Sequence, residues 1–241
     1  MMKEIDNHYT DQEHYIWTSL FVRCLQFLPD TAHKSVLEGL NIIGYPTDHI
    51  PDFDEINHKL SLHTDWQVVP MEVMVEDSEF ISMLASKRYP CRKWLRSNAQ
   101  FEAELDEYDM FHDIIGHTPL LIQKPYSEYL TNLGSLALQY LKHENILSLL
   151  KRVYWHTIQF GLITDGNTLK TYGAHLLTSP GETSFSMSAG VPKYDHNLDI
   201  IHNTPYKKGS YQEKYFVVNS FEQLCNSIDG IKKMIDQILK N

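Results

Sequence analysis

Long uninterrupted apolar runs are missing from these 241 residues. Charges break every such stretch well before the roughly 18 residues that a membrane helix needs. Cysteine is scarce. Cys24, Cys91 and Cys225 cannot all pair and form no disulfide framework, which fits a reducing compartment. Basic residues are outnumbered, with 21 Lys and Arg against 31 Asp and Glu, a net charge of −10. A sequence-independent nucleic-acid binder carries the opposite balance. No Gly/Ser-rich linker, internal repeat or low-complexity tract divides the chain, so one domain over 1–241 is expected. The opening Met-Met-Lys-Glu-Ile-Asp-Asn-His lacks an apolar core, and no secretory leader is read there. The expectation is a soluble, cytoplasmic, acidic globular protein with no nucleic acid and no membrane among its partners. Apolar content of 42% and charged content of 22% are ordinary, whereas 14 tyrosines and 13 histidines stand out.

Helical periodicity dominates what is present. Apolar residues recur at spacings of three and four over 12–28, where Pro29 is expected to end the helix. The pattern repeats over 31–43 behind a Thr31 cap and stops at Gly44. Residues 44–76, rich in Pro and His, read as loops and short pieces. Helix returns over 78–87 with Ser78 as N-cap, and again over 126–142 and 144–162. From 163 to 218 the glycines and prolines punctuate short apolar runs, which predicts small strands and turns. A terminal amphipathic helix follows Ser220 and its Ser-x-x-Gln capping pattern. The fold class expected is mainly α, α+β in detail, with small β-hairpins.

Two histidine pairs stand five residues apart, His58/His63 and His112/His117. Thirteen histidines in a chain this long yield about 0.7 such pairs by chance. A regular helix also sets positions i and i+5 about 140° apart. The second pair differs in context. Gly116 and Pro119 can break the helix and swing His117 back beside His112, and Asp113 adds a carboxylate in the same turn. On the residues alone, satisfied core histidines remain the plainer reading of both pairs, and a metal site at the second stays open.

The segment His112-Asp-Ile-Ile-Gly-His-Thr-Pro-Leu-Leu121 resembles the iron motif of the pterin-dependent aromatic amino acid hydroxylases. Leu84-Ala-Ser-Lys-Arg-Tyr-Pro-Cys-Arg-Lys-Trp-Leu-Arg96 is similar to the family's segment ending in the arginine that holds the substrate carboxylate. Arg152-Val-Tyr-Trp-His-Thr-Ile-Gln-Phe-Gly-Leu162 resembles the helix that donates the third iron ligand. Lys170-Thr-Tyr-Gly-Ala-His-Leu-Leu-Thr-Ser-Pro-Gly-Glu182 resembles the wall of the substrate pocket. Thr64-Asp-Trp-Gln-Val-Val-Pro70 and Tyr215-Phe-Val-Val-Asn-Ser-Phe221 fit as well, and the six blocks keep the family's order over roughly 10–225. The length matches a compact bacterial catalytic domain without a regulatory domain.

The resemblance implies Fe(II) held by two histidines and a carboxylate, a tetrahydropterin supplying electrons, and O₂ as co-substrate with a small aromatic molecule. Carried onto this chain, it makes His112 and His117 the imidazole ligands. Phe80 matches the pterin-stacking aromatic, Asp113 an acidic position facing the pterin through water, and Tyr154 the tyrosine lining the iron pocket. Arg96 matches the carboxylate clamp and Asp109 the residue that orients it. Trp155, Phe160, Thr178 and Ser179 fall on substrate-pocket positions. Without the family frame, Phe80, Trp155 and Phe160 read as core aromatics, Arg96 as a solvated charge, and Tyr154 and Thr178 as buried hydroxyls. A monomer or weak homo-oligomer is expected.

Four departures from the family pattern bear on function. Gln159 stands where the family has its carboxylate ligand. Leu105-Asp-Glu-Tyr-Asp109 replaces a proline-containing turn, placing Tyr108 in the substrate pocket, in a loop from Arg96 that is one residue longer. His175 stands at a glycine position, and His156 at an aromatic or Met position one turn before Gln159. Three arrangements stay open for the metal: Gln159 as a weak or water-bridged ligand, a third histidine from His156 or His175, or an empty or alternative-metal site. A diverged member that binds a metal or ligand without hydroxylating stays open beside the monooxygenase. Tyr108 and His175 also imply a substrate preference other than simple phenylalanine 4-hydroxylation, because polar pocket groups reject analogues that leave them unpaired.

Overall fold

The computed structural model describes residues 9–73, 75–97, 100 and 108–240. Residues 105–107 of the substituted turn, and part of the longer loop before it, lie outside the described residues. Helices form most of the chain. Helix α1 (Asp11–Thr31) starts at a reciprocal cap, in which Thr10 accepts from the Glu13 N–H and Glu13 accepts from the Thr10 N–H. Pro29 does not end it. The proline sits in the last turn, where it forfeits a single backbone bond, and the Ala32 N–H still reaches the Leu28 carbonyl at 2.8 Å. Helix α2 (Lys34–Ile43) stops at Gly44 as expected, with φ +58, but its cap is His33, whose Nδ1 accepts from the Ser35 N–H. Thr31 belongs to α1 and bonds back to the Phe27 carbonyl.

Within 44–76 a helix appears that the sequence reading lacked. In α3 (Phe53–Ser61) Asp52 caps the first turn and Phe53, Ile56 and Leu60 face the core. Strand β1 (Gln67–Met71) follows, then α4 (Asp77–Ala85) and β2 (Arg88–Arg92). Glu76, not Ser78, is the N-cap of α4, without a side-chain bond. Helices α5 (Lys124–Gln139) and α6 (Glu144–Tyr154) match the two expected amphipathic stretches. The region from 162 mixes strands β3 (Leu162–Asp165), β4 (Thr168–Thr171), β5 (Lys193–Asp195) and β6 (Tyr215–Val218) with short helices α7 (Ala174–Thr178), α8 (Pro180–Met187) and α9 (Leu198–His202). Ser220 caps the tail as expected, but Ser227 divides it into α10 (Phe221–Asn226) and α11 (Ile228–Ile238). Among the described residues no helix is long and apolar enough to cross a membrane.

The sheets are small, and among the described residues only one strand pairing is a hairpin. Strands β3 and β4 are antiparallel across Gly166-Asn167, where Gly166 takes φ +60. The other pairings, β1–β2, β3–β6 and β5–β6, are parallel, and the larger sheet has the order β4-β3-β6-β5. Parallel strands are brought together by distant segments, so local turn residues do not announce them.

The core fixes the segment that carries the histidine pair. Trp17 of α1 packs edge-on against Phe111, with ring centroids 5.2 Å apart. Helix α2 lies so close to Thr118–Ile122 that a Cβ on Gly39 would stand 2.1 Å from the Pro119 carbonyl oxygen. Gly39→Ala is therefore expected to destabilise the fold by about 1–3 kcal/mol through overpacking. The helix-propensity gain of alanine, at most about 1 kcal/mol, acts the other way. Urea unfolding measures the balance, and a more stable variant would show that α2 has room to move.

Candidate metal centre and active site

The histidine pair sits on neither a regular nor a broken helix. His112–His117 forms a π-turn, with hydrogen bonds closing five residues apart. Each residue then turns through a smaller angle than in an α-helix, and positions i and i+5 come round toward one face. The ring centroids of His112 and His117 are 5.2 Å apart. Gly116 does not break the turn. It admits the backbone of α7, since a Cβ there would meet the Ala174 carbonyl oxygen at 2.7 Å.

Asp109 anchors the start of this segment. Its carboxylate accepts from the His112 N–H at 3.0 Å and its carbonyl from the Asp113 N–H at 3.0 Å. The same carboxylate takes Arg96 through the Nε and Nη2 groups at 2.7 and 3.0 Å and through its backbone N–H at 3.1 Å. Both side chains are buried. Asp109→Ala strands the Arg96 cation and uncaps the π-turn, so a loss of about 3–5 kcal/mol is expected in denaturant unfolding. A loss below about 1 kcal/mol would mean that the pair is solvated.

Both histidines are held neutral. Burial pushes His112 well below its usual range, with His117 and His175 adding to the effect, and burial takes His117 down to about 3. The tautomer of His112 follows from its neighbour. The Thr178 hydroxyl donates to the Ala174 carbonyl, so it accepts from the His112 Nδ1–H at 3.0 Å. Nε2 then carries the lone pair, buried and without a partner among the described residues. Tyr89 stacks on His117 at 4.5 Å, and Tyr108 stacks on His112 at 3.7 Å with the rings 11° from parallel.

A second π-turn, Trp155–Gln159, ends α6 and brings Gln159 to the pair. Its Nε2 lies 3.2 Å from the His117 Nε2, while its Oε1 is buried with no partner among the described residues. The two ends of an amide are interchangeable by a flip, so either atom can face the imidazole. The His112 Nε2 and the Gln159 Oε1, both buried and without a partner among the described residues, form with the adjacent His117 ring a donor set suited to a metal ion.

Neither substitute histidine joins it. His156 shares an α-helical face with a residue three positions on, but in a π-turn the two diverge. Its Nε2 donates to the Thr204 carbonyl at 3.1 Å and its ring packs on Phe216. Burial takes its pKa down to about 4. His175 is closer, 6.2 Å from His112 by ring centroids, but its Nε2 is bound to Glu182 at 2.9 Å. Glu182 is held in turn by the Tyr215 hydroxyl at 2.7 Å and the Gln212 N–H at 2.9 Å.

A cavity of about 350 Å³ opens beside this cluster. Phe80, Tyr108, Asp113, Tyr154, Trp155 and Gln159, all singled out from the sequence, are among its lining. The Phe80 and Tyr154 rings meet edge-on at 5.7 Å, and burial raises the Tyr154 phenol above its ordinary range. Arg96, Phe160, His175, Thr178 and Ser179 are not in the lining. Of these, His175 adjoins the lining residue Tyr108, with ring centroids 5.5 Å apart, and Tyr108 lies 5.9 Å from Trp155 across the lining.

Asp113 brings a partner that sequence reasoning missed. Arg92, read only as a charged neighbour of Arg96, places Nη1 at 2.8 Å from both oxygens and donates its backbone N–H to Oδ2 at 2.9 Å. Burial pushes the Asp113 carboxyl up to about 6 despite that cation. Tyr206 and Lys208 were missed as well. Tyr206 stacks on Trp155 at 4.4 Å, and the Lys208 ammonium lies 5.6 Å from the same ring.

Comparison with known proteins gives the family. The sequence signature of the family described as "Biopterin-dependent aromatic amino acid hydroxylase" matches residues 3–240. A phenylalanine-4-hydroxylase of Chromobacterium violaceum is 35% identical over 222 residues, covering 92% of this chain and 74% of that protein. A tyrosine 3-monooxygenase of Rattus norvegicus is 30% identical over 233 residues, covering 95% of this chain and 46% of that one. The crystal structure of Chromobacterium violaceum phenylalanine hydroxylase with bound oxidised Fe(III) superposes with a TM-score of 0.92 at 33% identity, over 100% of this chain and 87% of that one. With a match over nearly its whole length and the same fold around the His112–His117 turn, the chain belongs to the biopterin-dependent aromatic amino acid hydroxylase family.

Proposed function

We propose that this chain is a non-haem iron, tetrahydropterin-dependent monooxygenase that hydroxylates an aromatic amino acid or a related aromatic substrate with O₂. The observation that carries the reading is the pair of neutral, buried imidazoles on one π-turn, with Gln159 beside them and an aromatic-lined cavity alongside. His112, His117 and Gln159 would hold Fe(II). Iron and tetrahydropterin together supply the activation of O₂, and the protein supplies position and dryness.

Phe80 offers a ring face for the flat pterin, with Tyr154 and Asp113 around it. Arg96, pinned by Asp109 through Nε and Nη2, keeps its Nη1 edge uncommitted to that aspartate and suited to a substrate carboxylate. Trp155, Phe160, Thr178 and Ser179 form the wall for the ring. Thr178 also holds the His112 tautomer, so one hydroxyl serves both wall and ligand. We read the chain as a single catalytic domain over 1–241, working in the cytoplasm as a monomer or weak homo-oligomer.

The second reading is a family member that binds a metal or ligand without hydroxylating, and Gln159 favours it. Oxygen consumption with Fe(II) and a tetrahydropterin, with and without each aromatic amino acid, separates the two. The monooxygenase reading expects uptake that requires the pterin and rises with at least one substrate. Absence of pterin-dependent uptake with every substrate would leave the binding-protein reading.

A further inference from the structure

The donors nearest the histidine pair include a carboxylate. Nitrogen atoms of His112 and His117 and a carboxylate oxygen of Asp113 all lie within 4.8 Å of one another, and all three residues are buried. The three donors come from a single π-turn and share its rigidity. Gln159 adds an amide but no charge. A divalent cation in a dry site with only neutral donors keeps its full charge, which is costly to bury. Asp113 is the acidic side chain in this donor cluster.

Its charge is already engaged. Nη1 of Arg92 sits 2.8 Å from both Asp113 oxygens, and the Arg92 N–H holds Oδ2 at 2.9 Å. The carboxylate side chain is 1% exposed whereas that of Arg92 is 23% exposed. Both residues line the cavity, and the Arg92 Nε is buried without a partner among the described residues. The guanidinium is the member of the pair with room to move. The backbone N–H would keep Oδ2 in place while Oδ1 became free.

We propose that Asp113 is the anionic ligand of this metal centre and that Arg92 competes with the metal for its carboxylate. The proposal rests on reading the site as a metal centre. In the metal-free protein the guanidinium stands in for the cation and keeps the buried carboxylate neutralised. A divalent cation would be held by the Asp113 carboxylate in place of the guanidinium, with His112 and His117 in the same cluster and Gln159 as a neutral donor beside them.

Co(II) affinity of the full-length protein, measured by competition with a chromophoric chelator alongside the visible spectrum of bound Co(II), tests this. Asp113→Asn is expected to weaken binding by more than about tenfold and to change the spectrum, and Gln159→Ala by less. Arg92→Gln, which removes the competitor, is expected to tighten binding about tenfold. Should Asp113→Asn fold poorly, comparing Arg92→Gln with the double variant Arg92→Gln/Asp113→Asn isolates the carboxylate, because neither leaves a buried unpaired cation. The assignment of Asp113 is overturned if Arg92→Gln binds Co(II) no tighter than wild type, or if removing the carboxylate leaves affinity unchanged. If no variant binds Co(II), Gln159→Glu included, the metal-centre reading itself fails.

Discussion

His112→Ala is expected to abolish metal binding, and Gln159→Glu to tighten it by about one to two orders of magnitude. His112 contributes a lone pair that its surroundings direct: Thr178 takes the Nδ1 proton, and Nε2 is buried with no other partner among the described residues. Alanine removes that donor and leaves His117 as the one imidazole of the pair. At position 159 the difference between amide and carboxylate is one full charge. Two unit charges 4 Å apart attract by about 4 kcal/mol at the effective dielectric of a protein site, and desolvating the carboxylate offsets part of that. The remaining gain is about 1.4–2.8 kcal/mol, or about ten- to a hundredfold. The same change has the opposite sign without metal, because the introduced carboxylate would then lie buried and uncompensated beside His117. Gln159→Glu should therefore lower the melting temperature of the metal-free protein and widen its rise on adding Fe(II) or Co(II). Metal content after dialysis against a chelator, with thermal unfolding in both states, checks both signs. Equal retention of metal by wild type and Gln159→Glu would show that position 159 does not reach the ion.

Elements whose signals are local were legible in the sequence. Gly44 ends α2 because only its left-handed φ closes that helix, and Ser220 caps α10 through the Gln223 N–H. The two stretches that became α5 and α6 declared themselves by amphipathicity. Helix α3 carried an equally local signal, Asp52 ahead of Phe53, Ile56 and Leu60, but the prolines and histidines around it dilute the pattern. The parallel pairings were not legible, because β6 meets β3 across a long intervening stretch of chain. Nor were the π-turns. The first is packed on either side by tertiary contacts, Trp17 on Phe111 and α2 on Pro119, that no window around His112 contains. The site shows the same division. The motifs located Phe80, Tyr154, His112, His117 and Gln159 together. The role of Arg92 depends on Asp113 lying opposite it in space, and its neighbours Arg88 and Lys93 made it look like one more solvated charge. Treating Gln159 and His156 as sharing a helical face failed for a single reason, the change of helix type at Trp155.

Tyr108→Gly is expected to raise affinity for phenylalanine by about tenfold or more, and wild type is expected to use phenylalanine poorly. The Tyr108 ring lies 3.7 Å from the His112 ring and nearly parallel to it, with Trp155 and His175 on its other sides. It lines the cavity and directly precedes Asp109, which pins Arg96, so an aromatic side chain anchored by its carboxylate at Arg96 is expected to compete with the ring for space. Displacement forfeits the stack on His112, about 0.5–1.5 kcal/mol for an aromatic pair beyond its buried area. A bound phenyl ring must offset that loss from its own burial, about 1.5–3 kcal/mol. Glycine removes both the obstacle and the competing stack, and the stack no longer forfeited, up to about 1.5 kcal/mol, matches the roughly 1.4 kcal/mol that a tenfold change requires. The phenol and the His175–Glu182 pair act in the other direction for a substrate with a polar ring group. Such a ring can bond to them, and phenylalanine offers them no bond. Tyr108→Gly should therefore shift preference toward the unsubstituted ring, whereas Tyr108→Phe, which keeps the obstacle and drops the hydroxyl, should leave phenylalanine affinity low. Calorimetric titration of phenylalanine and tyrosine into the three proteins, followed by turnover with Fe(II) and tetrahydropterin, measures both effects. Turnover of phenylalanine by wild type at ordinary enzyme rates, tightly coupled to pterin oxidation, would show that Tyr108 yields its place at no cost.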